Sequence, residues 1–224
     1  MTAGTRKRRS RRTRRGPSIL GVLGVLLIIG GLVAIGWVGW QYWGTNITSR
    51  QAFDEETRGL RDAWQDPAAE PADGPRIPGD AIALLRIPAF GDDYEVPILW
   101  GIDDPTLERG VGMYPSAVMP GEIGNFSVAG HRVTRGEPFR RLLELQTGDE
   151  VIVETRDAIH TYAINTTPTE LTVQDTESWV LDPVPGKPDQ EPTESIVTLT
   201  TCQDLFRSPD RSVAFGHLIS TQPK

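Results

Sequence analysis

The sequence predicts a mainly β domain, a closed barrel or a sandwich, preceded by one membrane-spanning helix. Three observations lead there. Between Ala81 and Ile219 lie seven short runs of apolar and β-branched residues bounded by Gly, Pro or Asp. Only two short stretches of the same region read as helix, and many strands with little helix pack as a barrel or sandwich. Ahead of them, residues 19–40 carry no charge and are apolar throughout.

The elements follow in chain order. Residues 1–18 form a basic tail with eight Arg or Lys side chains and no acid. Residues 19–43 are the membrane helix. The uncharged run alone, at about 1.5 Å per residue, spans roughly 33 Å, enough for the hydrocarbon core. Trp37, Trp40, Tyr42 and Trp43 gather at its C-terminal end, where aromatic rings favour the interface. A basic flank stays cytoplasmic, which sends the rest of the chain to the outer side. A cleaved signal peptide is the competing reading. Against it, the apolar run exceeds a signal core of about 7–15 residues, and no small-x-small cleavage site follows. Residues 44–80 are expected to be a stalk and linker. Phe53, Leu60 and Trp64 fall near helical spacing, and residues 66–80 are rich in Pro, Ala, Gly and Asp. Asn46-Ile-Thr48 and Asn165-Thr-Thr167 fit the N-glycosylation pattern, which is short and common.

Residues 81–224 make the outer domain. Strands are expected at Ala81–Ile87, Tyr94–Trp100, Asn125–Ala129, Glu150–Thr155, His160–Asn165, Ser195–Thr201 and Ser212–Ile219. Short helices are expected at Asp104–Glu108 and Pro138–Leu145, the second with Pro138 in its first turn and an apolar face of Phe139, Leu142, Leu143 and Leu145. The segment Thr166–Glu194 has five prolines and breaks the strand rhythm. A loop that long in a compact domain is usually functional or disordered. Its acids Asp175, Glu177, Asp189 and Glu191 show no spaced calcium-ligand pattern, so no metal is expected.

Charge excludes one class of function. The net charge is −7, but eight of the 23 basic residues sit in the tail. The remainder holds 15 basic residues against 30 acidic ones, a net −15. An acidic domain of this kind is no nucleic-acid binder, which needs a basic face to neutralise phosphates.

The chain has one cysteine, Cys202, so no internal disulfide is available. A thiol is a useful nucleophile only as thiolate, which needs a cationic partner or another feature that lowers its pKa. Cys202 ends the run Ser195-Ile-Val-Thr-Leu-Thr-Thr201 and meets a polar loop. Two readings stand at this point, a reactive thiol at a strand end and a small buried hydrophobe. Three histidines compete as partner. His160 and His217 lie at or within strands and read as packed or surface residues. His131 follows a strand that ends in Gly130 and precedes a polar loop; spacing alone does not decide its role.

Three segments resemble one known family. Thr198-Leu199-Thr200-Thr201-Cys202 matches the sortase pattern Thr-Leu-x-Thr-Cys. Asn125-Phe-Ser-Val-Ala-Gly-His131-Arg132 is similar to the sortase histidine segment, and Arg211 sits where class E sortases of Gram-positive actinobacteria carry their arginine. Gly110-Val-Gly-Met-Tyr114-Pro115, followed by Met119-Pro-Gly121, resembles the class E loop whose tyrosine is linked to a preference for Leu-Ala-x-Thr-Gly over Leu-Pro-x-Thr-Gly signals. Met113 departs from the residue common in that loop.

The resemblance covers roughly residues 80–220. It implies an eight-stranded β-barrel cysteine transpeptidase anchored in the cell membrane, with no cofactor. Such an enzyme cleaves a C-terminal sorting signal between Thr and Gly, holds the acyl group as a thioester, and passes it to an amine. Its partners are secreted proteins that bear the signal and an acceptor amine on a peptidoglycan precursor or a pilin. Cys202 is then the nucleophile, His131 the acid/base, and Arg211 the donor to the developing oxyanion, with Arg207 as the competing arginine. Tyr114, Thr200 and Thr201 face the substrate. Two other readings are an inactive binding scaffold, against which the intact Cys, His and Arg speak, and another cysteine enzyme of the wall. Papain-like peptidases need a Cys-Gly-x-Cys-Trp neighbourhood and the cysteine L,D-transpeptidases a His-Gly stretch before the cysteine; neither is present.

Overall fold

The computed structural model describes residues 19–40, 44–66, 76–202 and 209–224. The basic tail, Tyr42 and Trp43, linker residues 67–75, Arg207 and the side chain of Cys202 lie outside the described residues. The chain divides into two units, residues 1–40 and 41–224. The first contains α1 (Ile19–Gly39), none of whose residues is buried. Among the described residues it is the one helix long and apolar enough to cross a membrane.

The second unit begins with α2 (Thr45–Gln65) and continues through β1 (Ala81–Arg86), β2 (Glu95–Trp100), α3 (Asp104–Leu107), β3 (Val111–Met113) and β4 (Gly124–Ala129). It ends with β5 (Glu150–Glu154), β6 (Ala158–Thr166), β7 (Thr172–Gln174), β8 (Ser195–Cys202) and β9 (Asp210–Pro223). Eight strands close on themselves in the order β6-β5-β1-β2-β3-β4-β8-β9, and β9 returns to β6. The expected eight-stranded barrel is therefore present, and closure leaves it no long open edge. The ninth strand, β7, adds to the start of β9. Pairs β2–β3 and β4–β8 are parallel, and the others are antiparallel.

Alternation along the strands builds the core. Phe126 and Val128 of β4, Tyr162 and Ile164 of β6, Val197 and Leu199 of β8 and Ala214 of β9 share one apolar cluster inside the barrel. A smaller cluster lies under the long segment, where Val173, Val180 and Val213 meet Trp179, Leu181 and Phe215. That segment is thus not a bare loop; it holds β7 and a 3-10 turn at Ser178–Leu181.

Two expectations change. Pro138–Leu145 is not an α-helix: turns lead into a 3-10 turn at Leu142–Glu144. The buried residues explain it. Phe139, Leu142 and Leu145 all face the core at intervals of three, the period of a 3-10 helix rather than of an α-helix. Strands β3 and β7 were hidden because each is three residues long, one beside glycines and the other in a proline-rich stretch.

The amphipathic pattern in residues 44–65 is helical, and it packs on the barrel. Phe53 and Leu60 are buried. Glu56 pairs with Arg109 at 2.6 Å and Arg61 with Glu95 at 2.6 Å. Trp64 stacks under the Lys224 ammonium, 4.3 Å from its centroid. That ammonium also reaches Glu154 at 2.8 Å. Burial on its own would raise the Glu154 carboxyl, but the hydrogen bond and charge of Lys224, then Arg86 and Arg61, hold it below the ordinary range.

Candidate active site

Three strand ends meet at one edge of the barrel. β4 and β8 run parallel, with Ala129 opposite Thr200 as their last pair. The contact continues past the strand: the Gly130 amide donates to the Thr200 carbonyl at 3.1 Å, and the Thr201 hydroxyl donates to the Gly130 carbonyl at 2.8 Å. The chain therefore delivers Gly130-His131 alongside Thr201-Cys202. On the other side of β8, antiparallel β9 sets Arg211 directly opposite Cys202. Gly130 is required here by close approach, because a Cβ at that position would lie 2.7 Å from the Phe139 ring.

His131 is half-buried and its Nε2 is buried without a hydrogen-bond partner among the described residues. Burial, and then the nearby Arg135 charge, pull its pKa down to about 4, against a smaller opposing pull from Asp104. The imidazole is neutral at pH 7, a state that can accept a proton. The loop behind it is strained. Arg135, Gly136 and Glu137 all have positive φ, at 57°, 83° and 54°. Left-handed backbone costs roughly 1–2 kcal/mol for each of the two non-glycine residues, so surrounding contacts must hold it.

The remaining site residues group around the same edge. Arg211 is half-buried; its Nη1 donates to the Asp210 carbonyl at 3.2 Å and its Nη2 reaches Asp175 Oδ2 at 3.4 Å. Tyr114 follows β3, and its hydroxyl lies 3.2 Å from the Thr200 hydroxyl. Thr200 donates to the Val128 carbonyl at 3.2 Å. Thr200 and Thr201 are buried. His160 is buried in β6 and His217 exposed on β9, both away from this edge.

Sequence reasoning gave no role to the residues that hold the long segment. The Asn125 side-chain amide donates to the carbonyls of Val180 and Asp182, both at 3.0 Å. Its oxygen accepts from the Thr198 hydroxyl at 2.6 Å. The available signal was weak, since Asn125 and Thr198 are two of several polar residues in strands β4 and β8, although each buried polar group needs a partner. A cleft of about 400 Å³, lined in part by Arg50, Tyr94 and Arg141, contains none of the six candidate residues. Among the described residues no cluster of His, Cys, Asp or Glu is placed to hold a metal ion.

Residues 85–219 match the family model described as the sortase domain, a span that includes all six candidate site residues. The chain belongs to the sortase family. Two curated sortases of Streptomyces coelicolor are similar to this sortase. SrtE1 is 35% identical over 196 residues, 82% of this chain and 53% of the relative. SrtE2 is 32% identical over 190 residues, 80% of this chain and 74% of the relative. This sortase thus spans about half the length of SrtE1. Among solved structures, sortase E of Streptomyces avermitilis superposes with a TM-score of 0.59 at 37% identity, over 66% of this chain and 93% of that one.

Proposed function

We propose that this sortase is a membrane-anchored cysteine transpeptidase that cleaves Leu-Ala-x-Thr-Gly or Leu-Pro-x-Thr-Gly sorting signals between Thr and Gly. It passes the acyl group to an amine of a cell-wall precursor. The observation that carries this reading is the strand register at one barrel edge, which sets the His131 turn on one side of Cys202 and Arg211 on the other.

The steps follow from the residues. Neutral His131 takes the Cys202 thiol proton, and the resulting charge pair favours both ionised forms. The thiolate sulfur bonds to the threonine carbonyl carbon, and Arg211 donates to the oxygen as its charge develops. The carbon–nitrogen bond to glycine breaks as His131 returns the proton to the leaving amine, which leaves a thioester. An acceptor amine then attacks the thioester, loses its proton to His131, and releases the thiolate. Because burial disfavours charged His131, the thiolate–imidazolium pair is the minor form at rest.

Tyr114 and Thr200 line the signal's second position in this reading. The Thr200 hydroxyl proton goes to the Val128 carbonyl, so Tyr114 donates to Thr200 and keeps a lone pair for a substrate amide. Alanine in the signal has that amide and proline lacks it. Thr201, whose proton goes to Gly130, supports the histidine turn. The basic tail beside α1 supports an N-terminus on the cytoplasmic side and a catalytic domain outside the cell.

The test is one incubation. The enzyme is mixed with a Leu-Ala-x-Thr-Gly peptide and an amine such as triglycine, and products are followed by mass spectrometry. Transfer product together with a covalent acyl adduct on Cys202 is expected. Absence of both with every sorting-signal peptide refutes the reading.

A further inference from the structure

The loop that carries His131 is fastened to α2, a helix 66 or more residues upstream in sequence. The loop closes at its base, where the Phe139 amide donates to the His131 carbonyl at 3.0 Å. At its tip, the left-handed stretch Arg135–Glu137 meets side chains of α2, Asn46 and Phe53 among them. Asn46 accepts from the Gly136 amide at 2.9 Å through Oδ1 and donates to Glu137 Oε1 at 2.7 Å through Nδ2. Phe53 fills the space a side chain at Gly136 would need, since a Cβ there would come 2.5 Å from its ring. Strained backbone persists only where its surroundings over-determine it, and here one asparagine bonds two consecutive residues of the left-handed stretch, the strained Glu137 among them.

We propose that Asn46 is a positioning residue for His131. By holding Gly136 and Glu137 in left-handed conformation, it fixes the loop whose base is tied to the His131 backbone, and so it fixes the imidazole beside Cys202. The role rests on the transpeptidase reading above. It also gives the Asn46 side-chain nitrogen a structural use, which the glycosylation pattern at Asn46-Ile-Thr48 would take away.

The test uses the full chain in detergent. Asn46→Ala should lower kcat about tenfold with little change in KM, because the substrate groove is untouched. Glu137→Gln keeps an oxygen for the Asn46 amide and should stay within about twofold of wild type, while Glu137→Ala should follow Asn46→Ala. Arg61→Ala loosens the far end of α2 without touching the loop; it should lower Tm and leave kcat unchanged. Independently of turnover, NMR titration of the His131 ring should show its pKa rising from about 4 toward the ordinary value in Asn46→Ala, as water reaches the ring. Of the charged groups acting on the ring, Asp104 lies outside the loop, and Arg135, which lowers the pKa, lies in the stretch that loosens, so its withdrawal moves the titration in the same direction. Wild-type kcat and an unmoved titration in Asn46→Ala overturn the inference, as does an equal loss of kcat in Arg61→Ala. An inactive wild type instead counts against the transpeptidase reading, and the ring titration then decides the positioning role alone.

Discussion

The His131 loop and the long segment 167–194 both border β8, yet they are held by different physics. The histidine loop spans nine residues, is strained at its tip, and is fastened there by directed hydrogen bonds, with Phe139 buried at its base. The long segment has its own apolar cluster around Val173, Val180 and Val213, and Asn125 ties it to the barrel. Directed bonds to strained backbone permit one geometry, which suits a group that must hand a proton across about 3 Å. A separate small cluster tolerates substitution better as long as volume is kept. In the proposed function it would suit a wall of the groove that receives the sorting signal.

The largest effects should fall on the catalytic side. Cys202→Ala should abolish cleavage and transfer, because the chain has no other thiol. His131→Ala should cost about 10²–10⁴-fold in kcat. A peptide-transfer assay checks both, and transfer by Cys202→Ala would refute the nucleophile assignment. Arg211→Ala comes next, with about 2.7–4 kcal/mol of transition-state stabilisation lost. Arg211→Lys should not restore it, since an ammonium does not reproduce the guanidinium fork. An inactive Arg207→Ala beside an active Arg211→Ala would reverse that assignment.

Asn125→Ala probes the other side. It leaves the Val180 and Asp182 carbonyls without their buried donor, a cost of about 1–3 kcal/mol. Thermal unfolding should show the loss, and KM for the signal should rise more than kcat falls. If kcat falls alone, the two regions are not separable as described. Tyr114→Phe should have a smaller effect. One hydrogen bond contributes about 0.5–1.5 kcal/mol, so the preference for the alanine signal over the proline one should narrow by at most about tenfold in kcat/KM. Equal wild-type rates on the two peptides would remove the preference itself.

The gentlest effect is on stability against pH. The His131 pKa in the folded chain, about 4, lies below its ordinary value near 6.5. Between those values the unfolded chain binds a proton that the folded chain does not, so stability falls as pH falls through that window. His160, also lowered by burial, acts in the same direction. Glu154 adds to it, because its stabilising charge is present above the ordinary carboxylate range and is lost as pH falls through its depressed folded value. Replacing His131 with Asn should flatten the Tm profile between about pH 4 and 6.5. An unchanged slope would mean that the ring is solvated in the folded protein.

What the sequence disclosed follows distance along the chain. The strand ends at His131 and Cys202 were legible because each lies at the end of a contiguous run with its own hydrophobic pattern. Arg211 was legible through the resemblance to class E sortases, which carry an arginine at that place; nearness to Cys202 alone would have favoured Arg207 equally. The fastening of those residues was not legible. Asn125 reaches Val180 across 55 positions and Asn46 reaches Gly136 across 90, and periodicity carries no information about such pairs. Residues 44–65 displayed an apolar stripe, but a stripe does not say what covers it. Pro138–Leu145 misled because an apolar set at intervals of three satisfies a loose helical pattern as well as a 3-10 one.

β9 takes part in three pairings at once: Asp210–Ser212 with β7, Arg211–His217 with β8, and Phe215–Pro223 with β6. It is the seam of the barrel, and Arg211 is stitched into it. Strands far apart in sequence find one another late in folding, because the intervening chain must first be closed into a loop. The pairing of β9 with β6 is such a late contact, whereas Arg211 meets Cys202 through the sequence-adjacent strands β8 and β9; a chain cut short before β9 loses both the closing pairing and Arg211. One strand thus carries both the seal of the barrel and, in the proposed function, the group that meets the oxyanion.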